Sequence, residues 1–397
     1  MDASGHSYTT ATEFVLENGV VLPEATVQYQ TYGVLNDNRD NVLVICHALT
    51  GNASVHAWWG GLLGDGLAFD TSRYFVVCAN ILGSCYGSTS PQSRRRRRRT
   101  SRSNDTQEKE NDEEQPYGED FPDVSVQDTV RLQLQFLRDH LRIRSIAAVI
   151  GGSFGGMQAV EYMVQCNEEL DTAQQQQQKE DDSDSSSDSD DHGDDTPPPF
   201  LRSAIPIACG AAHTAWQTGM SHVQRLCIQQ CADPRDGLAL ARQLAMLSYR
   251  TPHGYTTKFG RTQQQQATAA QPYGPHAAWA VESYLNYQGT KFLDRFDPIT
   301  YTKLTEQMDS HDVFRNRDPD VLSRITIPVC VLGIDSDILY PLEEQQALVD
   351  AIGHSNAELR VITSPDGHDG FLLEQEQVGG YITDFLREQR RREGEKD

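Results

Sequence analysis

Continuous apolar runs of five or six residues recur along the chain, at 42–46, 75–79, 146–150, 204–208, 329–334 and 359–363. They are rich in Val and Ile, the pattern of strands buried on both faces of a parallel sheet. Helical periodicity falls between them. Residues 128–141 place Val130, Leu134, Leu137 and Leu141 on one stripe, and 343–352 and 381–387 look similar. Strand–helix alternation predicts an α/β fold with a mainly parallel, doubly wound sheet. Residues 210–323 carry helical patterns and no convincing strand, which reads as a helical cap inserted late in the sheet. The expected layout is a core over 12–209 and 324–390, with the cap at 210–323.

Composition changes this picture in one respect. Hydrophobic residues make up only 38% of the 397, and the net charge is −23. The excess is local. Residues 168–195 hold twelve acids against a single Lys179, about half of the total. The charge is therefore no property of a folded surface, and it argues against a nucleic-acid binder. Three low-complexity segments interrupt the alternation: 93–115, opening on the arginines of 94–99; 167–199, with a Gln run and an Asp/Ser tract; and 262–272, with a second Gln run. Each has too little apolar surface to offset its ordering entropy, and each is expected to be a disordered insert. The eight cysteines form no C-x-x-C pair, and His213, His222, His253 and His276 lack ligand spacing. No metal is expected, and the thiols read as reduced core residues of a cytoplasmic protein. The start shows no signal peptide, and no apolar run approaches the length of a transmembrane helix.

The sharpest chemical feature is Gly151-Gly152-Ser153-Phe154-Gly155, entered by an apolar strand and followed by a helical pattern over 155–165. A G-x-S-x-G in that context is a nucleophile elbow, with Ser153 on a strained strand-to-helix turn. A serine hydroxyl needs a base, and an elbow of this kind has its acid and then its histidine on loops after later strands. His368, just after the run 359–363, fits the second position. The run 329–334 leads into Asp335 and Asp337, and spacing alone does not choose between them. The backbone N–H of Phe154 would donate to an oxyanion, with a second donor from the loop after an early strand, at Leu49.

Several strings resemble the homoserine O-acetyltransferase family of the α/β-hydrolase superfamily. They include His47-Ala-Leu-Thr-Gly51, Ala79-Asn-Ile-Leu-Gly-Ser-Cys-Tyr-Gly87, Gly151-Gly-Ser-Phe-Gly-Gly-Met-Gln158, Tyr249-Arg250, Lys291-Phe-Leu-Asp-Arg-Phe-Asp297 and Gly367-His-Asp369. The match runs collinearly from about residue 12 to 386, broken by the inserts. The resemblance implies an α/β-hydrolase fold with a helical cap, and ping-pong transfer of acetyl from acetyl-CoA (succinyl in some members) to the hydroxyl of L-homoserine in methionine biosynthesis. It implies Ser153 as nucleophile, His368 as base, Asp337 as the acid, and Arg242 and Asp369 as substrate-binding residues. It implies acetyl-CoA as a cosubstrate without a bound cofactor, and a homodimer packed through the caps. Phe154 departs from the family, which usually has Met there. Relatives of this architecture acylate serine or other alcohols, or hydrolyse esters, and these remain the alternatives for the acceptor.

Overall fold

The six apolar runs form the parallel heart of an eight-stranded sheet in the computed structural model, which describes residues 5–95, 115–183, 199–262 and 279–394. The strands are β1 (His6–Thr9), β2 (Thr26–Tyr32), β3 (Val42–Cys46), β4 (Phe75–Ala79), β5 (Ile146–Gly152), β6 (Ala204–Ile207), β7 (Val329–Ile334) and β8 (Ala357–Ile362). Their spatial order is β1-β2-β4-β3-β5-β6-β7-β8. β1 and β2 are antiparallel additions at one edge; from β4 to β8 every pairing is parallel. The alternation of strand and helix predicted this fold class.

Strand periodicity divides the core into two layers. Val42, Val44 and Cys46 of β3 and Val329 and Val331 of β7 face one side. Leu43, Ile45, Cys330, Leu332 and Ile334 face the other. The first side is covered by α1 (Val126–Gln135), α2 (Phe154–Ser183) and α8 (Leu342–Ile352), through residues such as Val130, Val160, Met163 and Leu348. The second is covered by α9 (Gln375–Arg392), which buries Val378, Ile382, Phe385 and Leu386.

Between β6 and β7 the chain leaves the sheet for five helices: α3 (Ala215–Gln230), α4 (Pro234–Ser248), α5 (Pro252–Phe259), α6 (Ala280–Phe292) and α7 (Pro298–Asp309). Three of them start by the same local device. Asp233, Thr251 and Asp297 each accept a bond from a first-turn N–H, and the next residue is a proline whose fixed φ suits the first helical position.

Two expectations are corrected. The sheet begins at His6, ahead of the boundary at 12, because β1 pairs in antiparallel register with Thr26–Tyr29 although its sequence, His-Ser-Tyr-Thr, has no apolar run. The stretch 167–199, expected to be disordered, is helical over its first half: α2 runs on to Ser183. Counter-charges from other elements tie down the start of that extension, where Arg138 donates to Glu169 at 2.8 Å and Arg317 pairs with Glu168 at 3.1 Å. The first insert is closed at its base by a short antiparallel ladder, Arg94–Arg95 with Gln115–Pro116. Residues 96–114, 184–198 and 263–278, which hold the remaining parts of the three inserts, lie outside the described residues, as does His276.

Candidate active site

The sheet delivers Ser153 at the end of β5, one residue before α2. Its φ is +58°, a left-handed conformation that costs energy in any residue with a side chain. Two kinds of contact hold it there. The Ser153 N–H donates to the Ile207 carbonyl of the neighbouring strand at 2.9 Å. The flanking glycines let backbones meet: a Cβ at Gly155 would lie 2.0 Å from the Cys46 carbonyl, and one at Gly151 would lie 2.3 Å from the Gly155 carbonyl. Both glycines of the motif are thus required by close approach.

The acid arrives on the loop after β7, and the structure brings Asp337, not Asp335, to the histidine. His368 Nδ1–H donates to Asp337 Oδ2 at 2.6 Å, and the other carboxylate oxygen accepts the N–H groups of Leu339 and Tyr340 at 2.8 and 2.9 Å. Asp335 instead accepts the Ser364 N–H at 3.1 Å and shapes the turn. With Nδ1 as donor, His368 Nε2 is left as an acceptor, buried and without a partner among the described residues. Tyr340 stacks on the imidazole with centroids 5.0 Å apart, and the Phe371 ring meets its edge at 5.5 Å. Phe371 also packs against Gly152, which ties the histidine loop to the elbow. Burial works to lower the pKa of His368, but the charge and hydrogen bond of Asp337, with Asp369 beyond, raise it above the ordinary value.

Leu49 lies in the turn 47–51 that follows β3, closed by the Gly51 N–H on the Ala48 carbonyl at 2.9 Å. This turn is held over the first turn of α2, where Gln158 Nε2 donates to the His47 carbonyl at 3.3 Å. Phe154 is the first residue of α2, and its N–H belongs to the set that has no acceptor within the helix. His47 is fully buried, with its ring spanning Ala48 O and the Ile81 N–H. Burial outweighs the bond to Ala48 and lowers its pKa to about 4, so it is neutral and structural.

Arg242 on α4 and Asp369 after His368 both meet Tyr249, the first through its ring and the second by donating its N–H to the Tyr249 carbonyl at 3.2 Å. The Arg242 guanidinium stands over the rings of Phe292 and Tyr249, at 5.0 and 5.9 Å, and makes no ion pair among the described residues. Asp369 pairs with Arg250 Nε at 2.7 Å; burial raises its pKa, opposed by Arg250, His368 and Arg242. The site therefore presents one open cation, Arg242, and, directly after His368, one part-buried anion already half occupied by Arg250. Arg250, to which the sequence assigned no role, also donates to Asp366 at 2.5 Å and clamps the histidine loop to the cap. Tyr340 was missed too; its position three residues after Asp337, in the same tight turn, was the available signal. His213 is a packing residue, set between Asp309 and the Tyr340 hydroxyl, and His222 and His253 are exposed.

The structure thus sets a hydroxyl on a strained turn, a buried imidazole fixed by a carboxylate and a helix N-terminus on an α/β-hydrolase scaffold. The α/β hydrolase fold family matches residues 41–171. The homoserine O-acetyltransferase of Chlorobium chlorochromatii (strain CaD3) is 38% identical over 396 residues, spanning 96% of this chain and 94% of that one. By that likeness the chain belongs to the homoserine O-acetyltransferase family. Among solved structures, homoserine O-acetyltransferase from Bacillus anthracis superposes with a TM-score of 0.75 at 20% identity, covering 96% of this chain and 97% of that one. Esterase E22 gives 0.74 at 19%, covering 96% and 100%. Those two likenesses show the fold alone.

Proposed function

We propose that the protein transfers acetyl from acetyl-CoA to the hydroxyl of L-homoserine by a ping-pong reaction, a step of methionine biosynthesis. Ser153 Oγ attacks the thioester carbonyl while His368 Nε2 takes its proton. The oxyanion is held by the N–H groups of Phe154 and Leu49, the C–S bond breaks, and His368 returns the proton to the departing thiolate. In the second half the homoserine hydroxyl gives its proton to His368 and attacks the acyl-serine. The new ester leaves, and the proton returns to Ser153. Asp337 keeps the imidazole in the required tautomer and stabilises its charged form.

The observation that carries the acceptor assignment is the open Arg242 guanidinium together with the part-buried Asp369 carboxylate, whose charge it senses. A guanidinium suits an α-carboxylate, and a carboxylate suits an α-ammonium, so the pair fits an amino acid whose side chain ends in a hydroxyl. Ser153 is 7% exposed and His368 3%, which disfavours bulk water as the acceptor. No helix among the described residues is long and apolar enough to cross a membrane. We place the enzyme in the cytoplasm, where its eight unpaired thiols, six of them buried, stay reduced. We also propose a homodimer packed through α3 and α4, whose outer faces expose apolar side chains.

The test is CoA release from acetyl-CoA and, separately, succinyl-CoA, with homoserine, with serine and with no acceptor. Homoserine with acetyl-CoA is expected to be the fastest combination by at least an order of magnitude. Equal release without acceptor would make the protein an esterase-like hydrolase, and preference for serine would move the acceptor. Arg242→Ala should raise the KM for homoserine far more than that for acetyl-CoA.

A further inference from the structure

The turn that carries Leu49 is held from above by a cap residue with no part in the chemistry described so far. Arg295 follows α6, at the end of the cap nearest the sheet. Its Nη1 donates to the Thr50 carbonyl at 2.6 Å and to the Tyr86 hydroxyl at 3.1 Å, and Nη2 lies 3.5 Å from Thr50 Oγ1. The guanidinium is packed over the Phe292 ring, 5.0 Å from its centroid. The Arg295 carbonyl in turn faces the Cys85 thiol at 3.7 Å.

These bonds join three segments. Thr50 belongs to the loop after β3, Tyr86 to the loop after β4, and Arg295 to the cap. The two loops are further joined to each other, since Asn80 accepts the Ala53 N–H at 2.7 Å and donates to the Tyr86 carbonyl at 2.6 Å. The Thr50 carbonyl is two peptides along from the Leu49 N–H, but its plane also carries the Gly51 N–H, which donates to the Ala48 carbonyl in the plane of the Leu49 N–H at 2.9 Å, so holding the one restrains the direction of the other. A planar guanidinium reaching a carbonyl and two hydroxyl oxygens does this with a geometry that an ammonium cannot reproduce.

We propose that Arg295 is a positioning residue: it locks the Leu49 N–H in place and makes completion of the oxyanion hole depend on the seating of the cap. The proposal rests on the acyl-Ser153 reading given above and goes beyond it. An oxyanion donor must already point at the developing charge, because reorienting it during the reaction forfeits most of its benefit. With Nη1 already engaged by the protein, Arg295 differs from Arg242, whose guanidinium is open.

The experiment is pre-steady-state CoA release from acetyl-CoA without acceptor, followed by steady-state turnover with homoserine, for the unsubstituted protein, Arg295→Lys and Arg295→Ala. Burst amplitude counts folded, competent sites, and the burst rate constant reports the chemistry at each of them. Arg295→Ala is expected to lower the burst rate constant and kcat together by about 10- to 100-fold, less than the ~10²–10³ of deleting a donor outright. The KM for homoserine should stay within about twofold, Arg295→Lys should recover little, and millimolar guanidinium should partly restore the alanine variant. A higher homoserine KM at an unchanged burst rate would make Arg295 an acceptor-binding residue and overturn the proposal. A lower amplitude at an unchanged rate constant, or no change at all, would overturn it as well. Absence of any burst in the unsubstituted protein would instead refute the acyl-Ser153 reading.

Discussion

At the scale of single residues, the charge around His368 makes a statement about pH. The groups that face it are Asp337, Asp369, Tyr340, Tyr249 and Phe371. Burial favours the neutral imidazole, but the two carboxylates prevail and its pKa lies above the ordinary 6.5. The base must be neutral to accept a proton, so the burst of CoA release should rise with pH through a midpoint above 6.5. Stability runs the other way. A group whose pKa is raised on folding contributes stability that is fully present below its unfolded value and is lost as pH rises through the folded one. Asp369→Asn removes one of the two anions, and its burst midpoint should fall towards the ordinary value with the high-pH plateau retained. Measuring the burst without acceptor keeps the effect separate from acceptor binding, and an unmoved midpoint would dismiss the coupling. The placement of Ser153 on a strand-to-helix turn and of His368 on a loop after a late strand was legible in the sequence, because a motif and a chain order mark those positions. The choice between Asp335 and Asp337 was not legible from spacing. It depends on which acid accepts the N–H groups of Leu339 and Tyr340 and which accepts that of Ser364.

At the scale of elements, the helix that follows Ser153 is anchored by a buried ion pair. Glu161 on α2 is 1% exposed and accepts a bond from Arg317 Nη1 at 3.0 Å, while Arg317 also reaches Glu168 two turns further on. Burial raises the Glu161 pKa against the pull of Arg317. Arg317→Met would leave that carboxylate desolvated without its cation, a change that costs about 3–5 kcal/mol. A urea titration should show that loss, and adding Glu161→Leu should recover most of it, because a buried pair is replaceable by apolar groups of similar volume. A double variant as unstable as the single one would mean that Arg317 acts through some other contact. The same pair explains where sequence reading stopped. The buried Val/Ile runs announced the parallel strands, because burial on both faces leaves no polar position to obscure them. The continuation of α2 into the Gln-rich stretch was hidden, because composition registers its poor apolar content but not counter-charges such as Arg138 and Arg317, which come from other elements. β1 and β2 escaped for a related reason: they lie at the sheet edge, where Thr and Gln face solvent.

At the scale of the whole molecule, a charge of −23 and an exposed apolar surface pull against each other. The packed helices α3 and α4 each present apolar side chains to solvent at seven-residue spacing, which is two helical turns and hence one face. Trp216 and Val223 are 49% and 46% exposed on α3, and Leu240 and Leu247 are 47% and 45% exposed on α4. Apolar side chains exposed along two packed cap helices suit a second copy of the chain. Two copies of so acidic a protein repel at long range, and that repulsion is screened by salt while burial of apolar surface is not. Dimerisation should therefore tighten as ionic strength rises, opposite to an interface built on ion pairs. Light scattering across a salt series would measure this, and Leu240→Glu with Leu247→Glu should leave monomers at every salt concentration. A dimer that loosens in salt, or that survives both substitutions, would place the interface elsewhere. Because Arg242 lies on the same helix as Leu240 and Leu247, loss of the dimer should also raise the KM for homoserine while sparing the burst of CoA release, in which Arg242 has no proposed part.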